Sequence, residues 1–140
     1  MKSNKIYLIK TLNIPTDEKV AKKLVMEVAD CLDDSDEGNF VVEDVDGLDY
    51  LFLRVEDYKV DKICKVLDNY IRYQIKEITK DLLIGNHDLN YIIEKEEFKP
   101  FFDSFRIDNT TIDDVLDKIN NKGFESLDEI DKTILNKEKI

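Results

Sequence analysis

The sequence predicts an α+β fold: a ferredoxin-like βαββαβ antiparallel sheet with two helices, followed by a mainly helical C-terminal extension. Three observations carry this prediction. Two runs rich in β-branched and aromatic residues, Phe40 to Val45 and Leu48 to Val55, flank Asp46-Gly47, a pair suited to a type I′ turn because both central residues need φ > 0. Apolar residues recur at helical spacing on both sides of that hairpin. Past residue 80 the strand-like runs give way to helical periodicity with capping residues. The expected organisation is a ferredoxin-like domain over residues 1–80 and a helical extension over 81–140 that ends in a helical hairpin (110–136) and packs on the first part.

Taken in order, residues 5–12 are rich in β-formers with polar ends, a first strand that Asn13 and Pro15 terminate. Thr16 reads as the N-cap of a first helix. Asp17 and Glu18 suit its positive end, and Val20, Ala21, Leu24, Val25, Val28, Ala29 and Leu32 form one face. The run from Asp33 to Gly38 reads as an exposed acidic turn leading into the hairpin. A second helix carries Val60, Ile63, Cys64 and Leu67 as its apolar stripe. Tyr70 to Ile78 is dense in Ile and Tyr and follows Asp68-Asn69, so it is read as a strand; a helix continuing through Ile71, Ile75 and Ile78 is the alternative.

Beyond it, Gly85-Asn86 marks a turn, and Tyr91 to Glu97 is open between strand and helical turn. Phe98, Phe101, Phe102 and Phe105 fall at i, i+3, i+4 and i+7, the aromatic face of a helix, with Pro100 tolerated in its first turn. Thr110 or Thr111 caps the next helix, which carries Ile112, Val115, Leu116 and Ile119 and stops at Gly123 in a left-handed C-cap. Ser126 with Glu129 then reads as a capping box for a last helix with Ile130, Ile134 and Leu135 on its apolar side.

The pattern from Ile112 to Ile119, continued by Lys122-Gly123-Phe124-Glu125-Ser126-Leu127, Glu129 and Leu135, resembles the two-helix C-terminal tail of some bacterial rhomboid-family proteins. The resemblance covers residues 112–135 and includes no catalytic residue. It implies a bacterial origin and a small packing or docking module, and no protease activity.

Composition narrows the function classes. At 140 residues and 42% hydrophobic, the chain has the length and apolar content for a real core. A net charge of −11 disfavours direct nucleic-acid binding through phosphates, and no stretch approaches the ~18 apolar residues of a membrane helix, so a cytoplasmic protein without membrane insertion is expected. Cys31 and Cys64 sit on helical apolar faces and read as buried, reduced thiols; with His87 they are too few for a closed four-ligand zinc site.

Asp33, Ser35, Glu37, Gly38 and Asp44 occupy positions 1, 3, 5, 6 and 12 of a calcium loop, but a strand follows where a helix is required, so no metal is expected. His87, in Gly-Asn-His-Asp-Leu, has no nucleophile near it in sequence and reads as a solvated loop histidine. Four glycines in no phosphate-binding spacing give no nucleotide site, and no cofactor is implied. Tyr7, Tyr50 and Phe52 lie on strands and read as packing residues in an acidic setting unsuited to RNA.

What remains is surface character. Asp33, Asp34, Asp36 and Glu37 in the acidic turn, with Glu43, Asp44, Asp46 and Asp49 on the hairpin, make an acidic surface once the fold gathers them. Phe98, Phe101, Phe102 and Phe105 pack the C-terminal region or, if exposed, form an apolar patch for a partner. The reading is a non-enzymatic bacterial interaction protein, an adaptor or regulatory subunit with an acidic, partly aromatic surface. Its partner is a protein, basic in charge, or a second copy. Two rivals stand beside it: an acidic inhibitor, immunity-type or phage-encoded nucleic-acid-mimic protein that blocks a basic enzyme, and a small carboxylate-dependent enzyme.

Overall fold

A computed structural model describes residues 4–84 and 90–137, and the protein is α+β with a four-stranded antiparallel sheet. The chain divides into two compact units, residues 1–79 and 80–140. The expected Gly85-Asn86 turn and His87 lie outside the described residues.

In the first unit the elements follow in the order β1 (Tyr7–Thr11), α1 (Glu18–Ala29), β2 (Phe40–Val45), β3 (Leu48–Leu53), α2 (Asp57–Asp68) and β4 (Tyr73–Glu77). Their order across the sheet is β2-β3-β1-β4, and each neighbouring pair is antiparallel. The β2–β3 hairpin closes on Asp46 (φ 54°) and Gly47 (φ 84°), both in the region the primed turn demands. Asp44 Oδ1 accepts the Gly47 N–H at 3.0 Å and fixes the turn.

Registers put Ile9, Leu51 and Leu53 on one face of the sheet, and Leu24 of α1 with Val60, Ile63 and Leu67 of α2 pack against them. Both helices therefore cover the same face. The strand reading of the Tyr70 to Ile78 stretch is the observed one, over Tyr73–Glu77. The first helix is capped one residue later than expected: Asp17, not Thr16, takes the N-cap and accepts the Lys19 N–H at 2.8 Å.

The second unit holds α3 (Thr79–Ile84), whose first residue still belongs to the first unit, then α4 (Asn90–Ile93), α5 (Lys99–Asn109), α6 (Ile112–Lys122) and α7 (Glu129–Lys137). Thr111 and Asp114 form a reciprocal capping box at the start of α6. Two expectations are corrected here. Gly123 has φ 81° but ψ 167°, an extended rather than left-handed helical conformation, and it opens a 3₁₀ turn over Phe124–Ser126. That turn delays α7, so its cap is Asp128, which accepts from Ile130 and Asp131 N–H at 3.1 and 3.0 Å and donates its own N–H to Asp131 Oδ2. Ser126 instead donates back to the Gly123 carbonyl. Val115, Ile130 and Ile134 join α6 to α7, with Ile107 of α5 against them.

Candidate functional site

The expected acidic turn between α1 and β2 contains a 3₁₀ turn over Asp34–Asp36, and it is not exposed throughout, because Asp36 is buried. Asp33 caps it, accepting from the Ser35 N–H at 2.9 Å and from the Ser35 hydroxyl, while its own N–H donates to Asp36 Oδ2 at 2.9 Å. Lys59, in the first turn of α2, reaches across to Asp36 Oδ2 at 2.7 Å and Asp33 Oδ2 at 3.1 Å. Asp36 and Lys59 are buried, 2% and 4% exposed, so two charges that seldom leave water are held here only because they face each other. The Ser35 hydroxyl and then the Lys59 ammonium hold the Asp33 carboxyl at about 2, and the Asp36 carboxylate foremost raises Lys59 above its ordinary value.

With this turn pinned to α2, an apolar groove opens between α1 and β2. Val25, Val28, Ala29 and Leu32 form one wall, Phe40 and Val42 of β2 the other, and Leu51 and Leu53 the floor. Its volume is about 440 Å³, and Asp33, Asp34 and Glu37 stand on its rim. Val25 and Val42 are 67% and 50% exposed, so the walls meet solvent. The Asp34 and Glu37 carboxylates take no ion-pair partner among the described residues.

The remaining hairpin carboxylates are divided. Asp44 and Asp49 face each other across β2 and β3, and burial, then the Asp44 charge, raises the Asp49 pKa. Asp46 sits in the turn, and Glu43 alternates to the opposite face of the strand. From Phe40, beside the 3₁₀ turn, to Asp44 is about 13 Å of strand. The eight carboxylates are therefore not one surface. Two are consumed by Lys59, and most of the others collect at the two ends of β2.

The phenylalanines are placed differently. Phe98 is the half-buried N-cap of α5, while Phe101, Phe102 and Phe105 are 8%, 1% and 0% exposed, the first two stacked edge-to-face at 5.0 Å. Those three are off the solvent-facing surface. Among the exposed apolar side chains that sequence reasoning missed are Val25, Phe40 and Val42 of the groove walls; a helical face reaching Val25 signalled them, but which strand lay alongside could not be read.

Other chemistry is sparse among the described residues. No group of three or more His, Cys, Asp or Glu there is placed to hold a metal, and no helix there is long and apolar enough to cross a membrane. Cys31 and Cys64 are free and half-buried, with burial pushing both thiols up. A second concavity, about 540 Å³ in the second unit, mixes both signs of charge, and two of its cations are engaged, Arg106 with Asp128 and Lys118 with Asp131. The chain matches no protein-family model, no curated protein and no solved structure.

Proposed function

We infer that this is a non-enzymatic interaction protein, an adaptor or regulatory subunit of bacterial, cytoplasmic origin, that engages a basic protein partner at the groove between α1 and β2. One observation carries the reading: an exposed apolar concavity with Asp33, Asp34 and Glu37 on its rim, in a chain of net charge −11. Apolar contact supplies affinity in such a site, and the carboxylates supply orientation and rate of encounter. The aromatic part of the surface rests with the groove wall Phe40, since Phe101, Phe102 and Phe105 are buried. The same reading takes the first unit as a ferredoxin-like split βαβ fold, supported by its element order and by the strand order β2-β3-β1-β4, antiparallel throughout.

The test is affinity capture from a bacterial lysate at about 0.1 and 0.5 M salt, a change that shortens the screening length about twofold. The expected partner is basic, is held more weakly at the higher salt and is lost with Val25→Glu. A partner captured equally by the wild type and by Val25→Glu places the interaction elsewhere and refutes the groove. A basic enzyme captured only at low salt and inhibited on binding, with Val25→Glu without effect, supports the charge-mimic inhibitor instead.

A further inference from the structure

We propose that the outer edge of β2 takes up an extended peptide segment as an additional strand, with alternate apolar side chains entering the groove beside α1 and basic residues at the segment's ends meeting the acidic groups at the two ends of β2. This rests on the interaction reading above and names how the partner binds.

The backbone is free to do it. The two-residue turn makes Val45 and Leu48 the closing hydrogen-bonded pair, and hydrogen-bonded pairs alternate from there. The Arg54 N–H donates to the Asn39 carbonyl at 2.8 Å, in the same phase. Val41, Glu43 and Val45 therefore spend their backbone groups on β3, while those of Phe40, Val42 and Asp44 point away from the sheet. Among the described residues no strand pairs with that side.

The side chains agree with the backbone. Phe40 and Val42 share the helix-covered face with Leu53 and Leu51, so an added strand would continue that face into the groove. The other edge, β4, is mostly exposed and carries Lys76 and Glu77, the usual way a sheet discourages pairing, and it contributes no residue to the groove beside α1. Charge decides the occupant. A second copy adding its own β2 would bring like carboxylates together at the seam, whereas a basic segment meets Asp34 and Glu37 at one end and Asp44 at the other. The ~13 Å between those ends corresponds to about four residues of extended chain.

The probe is the capped peptide Lys-Lys-Val-Ser-Val-Ser-Val-Lys-Lys, titrated into the isotope-labelled full chain and followed by amide chemical shifts, with its Glu-for-Lys counterpart as control. Shifts confined to Phe40–Asp44 and the groove walls are expected, with the Lys peptide bound roughly tenfold or more tightly than the Glu peptide. Val42→Pro, which removes an outward N–H, and Val25→Glu, which blocks the groove wall, each lower affinity roughly tenfold, and unchanged spectra elsewhere certify their folds. Undiminished binding by Val42→Pro overturns strand addition. Failure of the Lys peptide also overturns it, and a lysate partner still lost with Val25→Glu then leaves the interaction reading standing. Shifts along β2 that grow with protein concentration alone assign the edge to a second copy and overturn the peptide as occupant.

Discussion

A pair of proline substitutions one residue apart separates the two sides of β2. Val41 pairs with Phe52 in a hydrogen-bonded position, so Val41→Pro deletes a ladder bond worth about 1 kcal/mol net. It also strands the carbonyl of Phe52, a residue with no exposed surface, at a desolvation cost of about 1–3 kcal/mol. The expected loss is about 2–4 kcal/mol. Val42 is half exposed and its N–H points outward, so Val42→Pro removes no internal bond and its cost stays below about 1 kcal/mol, mainly from adjusting φ. Urea unfolding followed by circular dichroism gives both values. Hydrogen exchange on the unmodified chain gives an independent reading: the amides of Val41, Glu43 and Val45 are protected, and those of Phe40, Val42 and Asp44 exchange quickly. Equal destabilisation by the two prolines, or a Val42 amide as protected as that of Val41, refutes the assigned hydrogen-bond phase and with it the open edge.

The pinned turn and the helix caps give two further predictions. Because the Asp33 pKa is depressed in the folded chain to about 2, its contribution to stability is complete above the ordinary value of 3.8 and disappears as pH falls toward 2. The urea midpoint of the wild type therefore drops more steeply than that of Asp33→Asn over that window, and parallel curves contradict the tie to Ser35 and Lys59. At the start of α6, Thr111→Ala removes the oxygen that accepts the Asp114 N–H at 3.1 Å and costs about 1 kcal/mol, whereas Thr111→Ser retains the cap. A Thr111→Ser variant as destabilised as Thr111→Ala shows that the methyl group, not the cap, matters there.

Local signals were the ones the sequence expressed. The Asp46-Gly47 turn, the apolar stripe of α2 and the threonine cap of α6 each depend on a few neighbouring residues; the first two are found where they were expected, and of Thr110 and Thr111 it is Thr111 that caps. The start of α7 was misread because Ser126 with Glu129 and Asp128 with Asp131 are both acceptable boxes. A 3₁₀ turn after Gly123 chose between them. Lys59 was assigned to no role, since a lysine in an amphipathic helix normally faces water; its signal was its place four residues before Ile63, on the same side of α2. The groove was illegible for a different reason. It exists because β2 is the outermost strand, and strand order depends on pairings between distant segments that no local pattern encodes.

The position of β1 has a consequence for how the chain acquires its structure. β1, synthesised before the other three strands of this sheet, lies between β3 and β4, bonded to residues as far along as Glu77. The β2–β3 hairpin closes through its own turn on a timescale of microseconds, but β1 has no partner until that hairpin exists and no second partner until β4 emerges. Sheet assembly is thus governed by long-range closure, and a chain ending before Tyr73 leaves β1 with its backbone unpaired along one side. A nascent fragment of that length offers β1 as an open, β-prone edge, whereas the finished fold leaves β2 and β4 outermost.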